Sequence, residues 1–206
     1  MGLVPAGKKR YVWPWWSKKA DPELEELRKK LADILSEENV REQLSGWSKS
    51  IQLSSFVPNP HALSGRLHER FLARLYQHRK REKGSSASCF SGSSSNEDSF
   101  SLLRFVFHGT HKRNLDSILR NGMIRWYQTK GCDWFGLNPE TSKPYCRNRF
   151  EGTLLVFLVL PVKRAVKRDD TDVLTMRYAS YQLPIGTVKW VLDAKRQNIL
   201  KIVPFF

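Results

Sequence analysis

The stretch Phe105-Val106-Phe107-His108-Gly109-Thr110, followed by Asn114-Leu115-Asp116-Ser117-Ile118-Leu119-Arg120-Asn121-Gly122-Met123, decides how the chain is read. An apolar run stops at a His-Gly-Thr turn, and Leu115, Ile118 and Leu119 then recur at helical spacing. Gly122 suits the left-handed residue that closes a helix. The segment is predicted to be a short strand, a polar turn and a helix over residues 113–121. Glycine at a strand end lets another group approach the main chain closely, so His108 and the Gly109 backbone make a candidate ligand site. On residue type alone, a lone histidine there is more often structural than catalytic.

Beyond residue 101 the pattern is strand-rich. Residues 102–107, 154–160, 173–178, 188–192 and 199–203 read as strands. There is no Gly-rich phosphate loop, no dinucleotide-binding fingerprint and no regular alternation of strand and helix. The expected class is α+β, with a compact mixed or antiparallel β core and short helices. The longest apolar run, residues 153–161, falls far short of the ~20 residues a membrane span needs, so no transmembrane segment is expected.

Upstream the chain reads as helical. Asp21-Pro22 is a helix start, and Leu24, Leu27, Leu31, Ile34 and Leu35 make one apolar stripe. Ser36-Glu37-Glu38 starts a second helix, in which Val40, Leu44, Trp47 and Ile51 continue the spacing. Asn59-Pro60 opens a third, with Leu63, Leu67, Phe71 and Leu75 as its buried face. Its other face carries Arg66, Arg70, Arg74, Arg79, Lys80 and Arg81, either a solvated surface or a place for phosphate contacts. Four segments are therefore expected: a basic aromatic arm at 1–20, a helical module at 21–83, a Ser/Gly-rich linker at 84–100, and a strand-rich domain at 101–206.

The 206 residues carry a net charge of +15, which favours anionic partners such as nucleic acid, acidic protein surfaces or anionic lipid. Cys89, Cys132 and Cys146 make neither a disulfide framework nor a zinc pattern, so a reducing intracellular compartment is expected, nuclear or cytoplasmic. The arm, with Lys8-Lys9-Arg10 and Lys18-Lys19 around Trp13, Trp15 and Trp16, could stack on bases, lie at a membrane interface, or pack on the domain. Ala6 breaks the myristoylation pattern after Gly2. A mitochondrial presequence stays open, although the arm is poor in Ser and Arg.

Residues 131–149 gather aromatics, a hydroxyl and cations: Trp134-Phe135-Gly136, Ser142, Tyr145-Cys146, Arg147 and Arg149. Such a mixture suits a flat ring with attached phosphates. No Ser-His-Asp or Cys-His set has readable spacing, and no carboxylate pair suits glycoside hydrolysis.

The succession of His108-Gly109-Thr110, the Asn114 to Met123 helix, the block from Trp134 through Ser142 to Tyr145-Cys146, and Tyr178 to Gln182-Leu183-Pro184 resembles the catalytic domain of the poly(ADP-ribose) polymerase family, over residues 101–206. The resemblance implies an ADP-ribosyltransferase-like fold and NAD as substrate, with no metal. It implies that His108 bonds the adenine-side ribose and Gly109 holds the nicotinamide carboxamide by its main chain. Ser142 would donate to the carboxamide oxygen, Tyr145 would stack on the ring, and Thr110 would belong to the same NAD-binding set. A backbone amide and one hydroxyl can satisfy a carboxamide, which has one acceptor and two donors.

Two positions depart from the family. Trp134 stands where a tyrosine is usual, keeping a stacking surface without the phenolic hydroxyl. Leu174 falls at the third catalytic position, where polymerising members carry glutamate. Leucine cannot bond a ribose hydroxyl, so transfer of a single ADP-ribose to a protein or nucleic-acid acceptor is expected rather than chain growth. Asp170 and Asp172 could supply a carboxylate in a shifted register. Two alternatives remain: an inactive module of this fold that binds RNA or a protein partner, and an RNA 2'-phosphotransferase-like enzyme using NAD. The latter lacks its Arg-x-His-x-His signature, since Arg125-Trp126-Tyr127 stands there.

Overall fold

The computed structural model describes residues 21–86, 100–123, 131–146 and 151–191. Asp21 caps α1 (Pro22–Ile34) by accepting from the Glu23 N–H at 2.9 Å, and Ser36 caps α2 (Glu37–Leu44). A 3-10 turn at Ser45–Trp47 follows. The expected helical spacing through Ile51 does not hold. The chain instead enters β1 (Gln52–Pro58), in which Phe56 is buried while Gln52, Ser54 and Val57 remain exposed. Gly46 and the Ser48-Lys49-Ser50 run leave too little helix propensity to carry α2 onward.

The expected third helix is two helices. Asn59 caps α3 (Pro60–Leu63), which ends after one turn at Ser64-Gly65, where Gly65 takes φ +85°. Leu63 is consequently 54% exposed and not on the buried face. In α4 (Arg66–Ser86), Leu67, Phe71 and Leu75 are buried as the spacing implies. This helix runs into the first residues of the expected linker, and residues 87–99 lie outside the described part of the chain.

The fold is α+β, built on a seven-stranded, wholly antiparallel sheet in the order β1-β7-β4-β2-β3-β6-β5. Its further strands are β2 (Arg104–Gly109), β3 (Asp133–Gly136), β4 (Glu151–Val159), β5 (Val166–Asp169), β6 (Val173–Met176) and β7 (Gln182–Val191). The helix expected at 113–121 is a 3-10 turn followed by α5 (Leu115–Asn121), and α6 (Pro139–Ser142) follows β3. The strand expected at 188–192 is the second half of β7; the one at 199–203 lies outside the described residues. β7 passes through Pro184, which has no N–H, by a register shift that leaves Ile185 unpaired with β4. The Asn59 N–H takes up the Ile185 carbonyl at 2.8 Å.

Residues 21–83, expected to be wholly helical, thus supply a sheet strand. Their buried side chains, Leu27, Leu31, Leu44, Phe71 and Leu75 among them, belong to one core with Val106, Phe157 and Leu183 of the sheet. The Trp47 ring stands edge-on to Phe107 with centroids 5.1 Å apart. Among the described residues no helix is long and apolar enough to cross a membrane.

One irregularity of the sheet positions the site. β2 pairs with β4 over six residues and β3 with β6 over four, but β2 and β3 are in register only at Phe107 and Gly136. The ladder between them is open beyond that pair, toward His108 and Gly109.

Candidate functional site

His108 bridges the opening. Its Nδ1 lies 2.8 Å from the Trp134 carbonyl, which can only accept, so Nδ1 carries the proton and Nε2 keeps a lone pair in the neutral ring. The rings of Phe135 and Phe157 lie 5.8 and 6.2 Å from it. Burial against them holds the imidazole below its ordinary pKa, and the Trp134 carbonyl opposes this only in part. His108 is therefore neutral at pH 7, an acceptor at Nε2 rather than a cation.

Across the opening, α6 and the 3-10 turn Lys143–Cys146 lie flat on three glycines of three strands. A Cβ on Gly109 would sit 1.9 Å from the Ser142 carbonyl oxygen and 2.9 Å from the Tyr145 Cβ. On Gly136 it would meet the Ser142 Oγ at 2.6 Å, and on Gly152 the Cys146 Cβ at 3.0 Å. No side chain fits at these points, so glycine is what lets the segment seat there. Asn138 starts it by accepting from the Thr141 N–H at 3.0 Å. Lys143 anchors it, pairing with Glu140 at 2.5 Å and standing 5.3 Å over the Trp190 ring.

His108, Gly109, Ser142 and Tyr145 are thus brought together, with Trp134 at the rim. Tyr145 is 66% exposed and Trp134 38%, two aromatic surfaces open to a ligand. Ser142 differs from the role the resemblance implies. Its hydroxyl is buried, donates to the Phe107 carbonyl at 2.9 Å and accepts from the Gly136 N–H at 3.2 Å. A hydroxyl has one proton, so Ser142 holds the α6 segment to the sheet and has none to donate to a carboxamide. Thr110 accepts from Asn114 Nδ2 at 3.1 Å and lines an adjoining cleft of about 290 Å³ with Lys112, Cys146, Lys189 and Trp190. Burial pushes the Cys146 thiol pKa up, which makes it a poor nucleophile.

Leu174 is fully buried on β6, opposite Phe135, so the position that the resemblance aligns with the family glutamate is filled by a core side chain. Neither nearby aspartate replaces it. Asp170 is exposed and held by Arg168, and Asp172 is exposed and accepts from Asn138 Nδ2 at 3.0 Å. Among the described residues no group of three or more His, Cys, Asp or Glu side chains converges as metal ligands would.

The basic helix face is largely committed elsewhere. Arg79 pairs with Glu23 at 3.3 Å and Glu26 at 3.5 Å, and Lys80 with Glu23 at 2.7 Å. Arg70 donates to the Ala179 carbonyl at 3.2 Å and Arg74 to Ser180 Oγ at 3.1 Å. Only Arg66, Lys80 and Arg81 of the six expected phosphate contacts are exposed. Residue counting could not separate these roles, because the partners lie about 50 and 110 positions away along the chain. Gly152 and Asn138 were not singled out by sequence, and Gly136 entered only as part of the Trp134-Phe135-Gly136 block, although glycine within apolar strands is a signal of close approach.

No protein-family model matches this chain, and no curated protein matches it.

Proposed function

We propose that this chain is an NAD-dependent mono-ADP-ribosyltransferase. The observation that carries the reading is the meeting of the Gly109 main chain, Tyr145 and Trp134 beside a gap in the sheet that His108 spans. These residues suit NAD. An unprotonated His108 Nε2 can accept from a ribose hydroxyl, Gly109 lies half-buried under the α6 segment at the end of β2, and Tyr145 offers a ring face to nicotinamide.

When bound, NAD supplies a ribose carbon whose bond to nicotinamide breaks. The electron pair leaves with the ring nitrogen, an acceptor lone pair closes on that carbon, and the acceptor's proton passes to solvent. The contribution of this chain is positioning rather than acid-base chemistry, since Leu174 puts no carboxylate at the ribose. Ser142 acts here as a positioning residue that keeps α6 on Gly109 and Gly136. The same burial of Leu174, and the committed Ser142 hydroxyl, favour a second reading in which the fold binds without catalysing.

The two separate in one experiment. Purified full-length protein is incubated with adenine-labelled NAD and candidate protein and RNA acceptors, beside His108→Ala and Tyr145→Ala. Label on an acceptor or on the chain itself, reduced at least about tenfold in both variants, supports transfer. No label together with no heat of NAD binding overturns the enzyme and leaves the binding module.

A further inference from the structure

We infer that the Arg66-Arg70-Arg74 face of α4, together with Arg164 and the 178–181 turn, is a docking surface for single-stranded nucleic acid. The three arginines are spaced by four, so they lie on one side of the helix, with a rise of roughly 6 Å between successive members. Like charges at this spacing oppose one another. Burial, then Arg66 and then Arg74, hold the Arg70 guanidinium below its ordinary pKa. Among the described residues no carboxylate lies within ion-pair distance of Arg66, Arg70, Arg74, Arg164 or Arg177. The contrast with Arg79 and Lys80 farther along α4, both paired with glutamates of α1, makes this a selective omission. Arg70 Nε is moreover buried without a partner, so the row is left short of negative charge at its centre.

The arginines also build an aromatic platform. Arg70 and Arg74 hold the turn through Ala179 and Ser180, and the guanidinium carbons of Arg74 and Arg164 lie 5.4 and 5.3 Å from the Tyr181 ring centroid. Tyr178 stands next to it, its centroid 6.2 Å from that of Tyr181, and is 45% exposed. A row of uncompensated cations beside an exposed ring matches a chain of phosphates whose bases are free to stack. A duplex hides its base faces, and a bilayer headgroup layer offers none. The surface lies apart from the opening between β2 and β3 at His108 and does not depend on the NAD reading.

The test is fluorescence anisotropy of the full-length protein with a labelled twelve-nucleotide oligouridine across a salt series. Arg66 and Arg164 are exposed, so Arg66→Gln/Arg164→Gln leaves Arg70 and Arg74, which hold the 178–181 turn, in place. This variant is expected to bind about tenfold more weakly, and its log K against log salt slope should fall by about 1.4, at roughly 0.7 for each phosphate no longer neutralised. Tyr178→Ala should bind about fivefold or more weakly with the slope unchanged. Lys29→Gln/Lys49→Gln, which removes the same charge from other exposed positions, should stay within about twofold. Equal weakening by both double variants would mean that bulk charge alone acts and would overturn the surface. So would wild-type affinity in Tyr178→Ala, or phosphatidylserine vesicles showing the same arginine and tyrosine dependence. Thermal unfolding of each variant within a few degrees of wild type excludes a folding defect as the cause.

Discussion

His68 is buried and His108 half-buried, and burial lowers the pKa of both. His68 on α4 is 3% exposed; burial lowers its pKa, while Glu69, at 3.4 Å, pushes the other way and Arg28 adds to the lowering. His108 is lowered by burial behind the Phe135 and Phe157 rings. Each folded pKa lies below the unfolded value of about 6.5, so the unfolded chain binds the extra proton first. Stability should therefore be full above pH 7 and fall as the pH drops through 6.5, with each histidine contributing at most about 1.4 kcal/mol per pH unit. Urea unfolding between pH 8 and pH 5 measures this, and His68→Gln or His108→Gln should each flatten the curve. A profile that is unchanged in both variants would assign the loss to other groups. At this scale residue type pointed to His108 and Gly109, because few other residues end an apolar strand. It could not give the Ser142 role. The acceptor of its proton is a main-chain carbonyl of β2, and main-chain carbonyls carry no sequence signal.

Elements are joined through a few side chains that reach main-chain atoms. Asn59 is the clearest. It is 1% exposed, its Nδ2 donates to the Pro184 carbonyl at 2.7 Å and the Leu119 carbonyl at 2.9 Å, and its Oδ1 accepts from the His61 N–H at 3.1 Å. One amide thus ties β1, α3, α5 and the bulge of β7. Asn59→Ala should cost about 3 kcal/mol, from three lost hydrogen bonds at roughly 1 kcal/mol each. Asn59→Asp should cost at least as much, since a carboxylate keeps the cap but has no donor for two buried carbonyls. Guanidinium denaturation checks both, and an aspartate variant as stable as wild type would show that the two carbonyls have other partners. Asn59-Pro60 was readable as a helix start, whereas its reach to Pro184 was not. β1 escaped for a related reason. A seven-residue edge strand with one fully buried side chain, Phe56, makes no regular alternation, and its outer carbonyls at Leu53 and Phe56 are taken by Arg41 of α2.

For the whole molecule, the consequence of β1 is that the chain closes on itself. β1 pairs with β7, which means that residues 52–58 and 182–191 complete one sheet across more than a hundred intervening positions. At Gly186 the approach leaves no room for a side chain; a Cβ there would lie 2.6 Å from both the Phe56 ring and the Val57 carbonyl. The composition change near residues 84–100 suggested a boundary, yet Phe71 and Leu75 before it and Leu155 and Leu183 after it share one core. Burying fully apolar side chains of this size contributes about 1.5 to 3 kcal/mol each, so neither half keeps its stability without the other. Fragments 1–92 and 93–206, co-expressed with a tag on one only, should co-purify at equal amounts and unfold in a single transition. Fragment 93–206 alone should aggregate, because removing β1 and α4 uncovers Leu183, Ile185 and Val188 of β7. Soluble, cooperatively folding 93–206 would make the helices an accessory to an independent sheet domain. Any NAD-dependent transfer it retained would then place the proposed site wholly within that fragment. If it fails to fold alone, β1 and the helices are part of the core that the sheet itself requires.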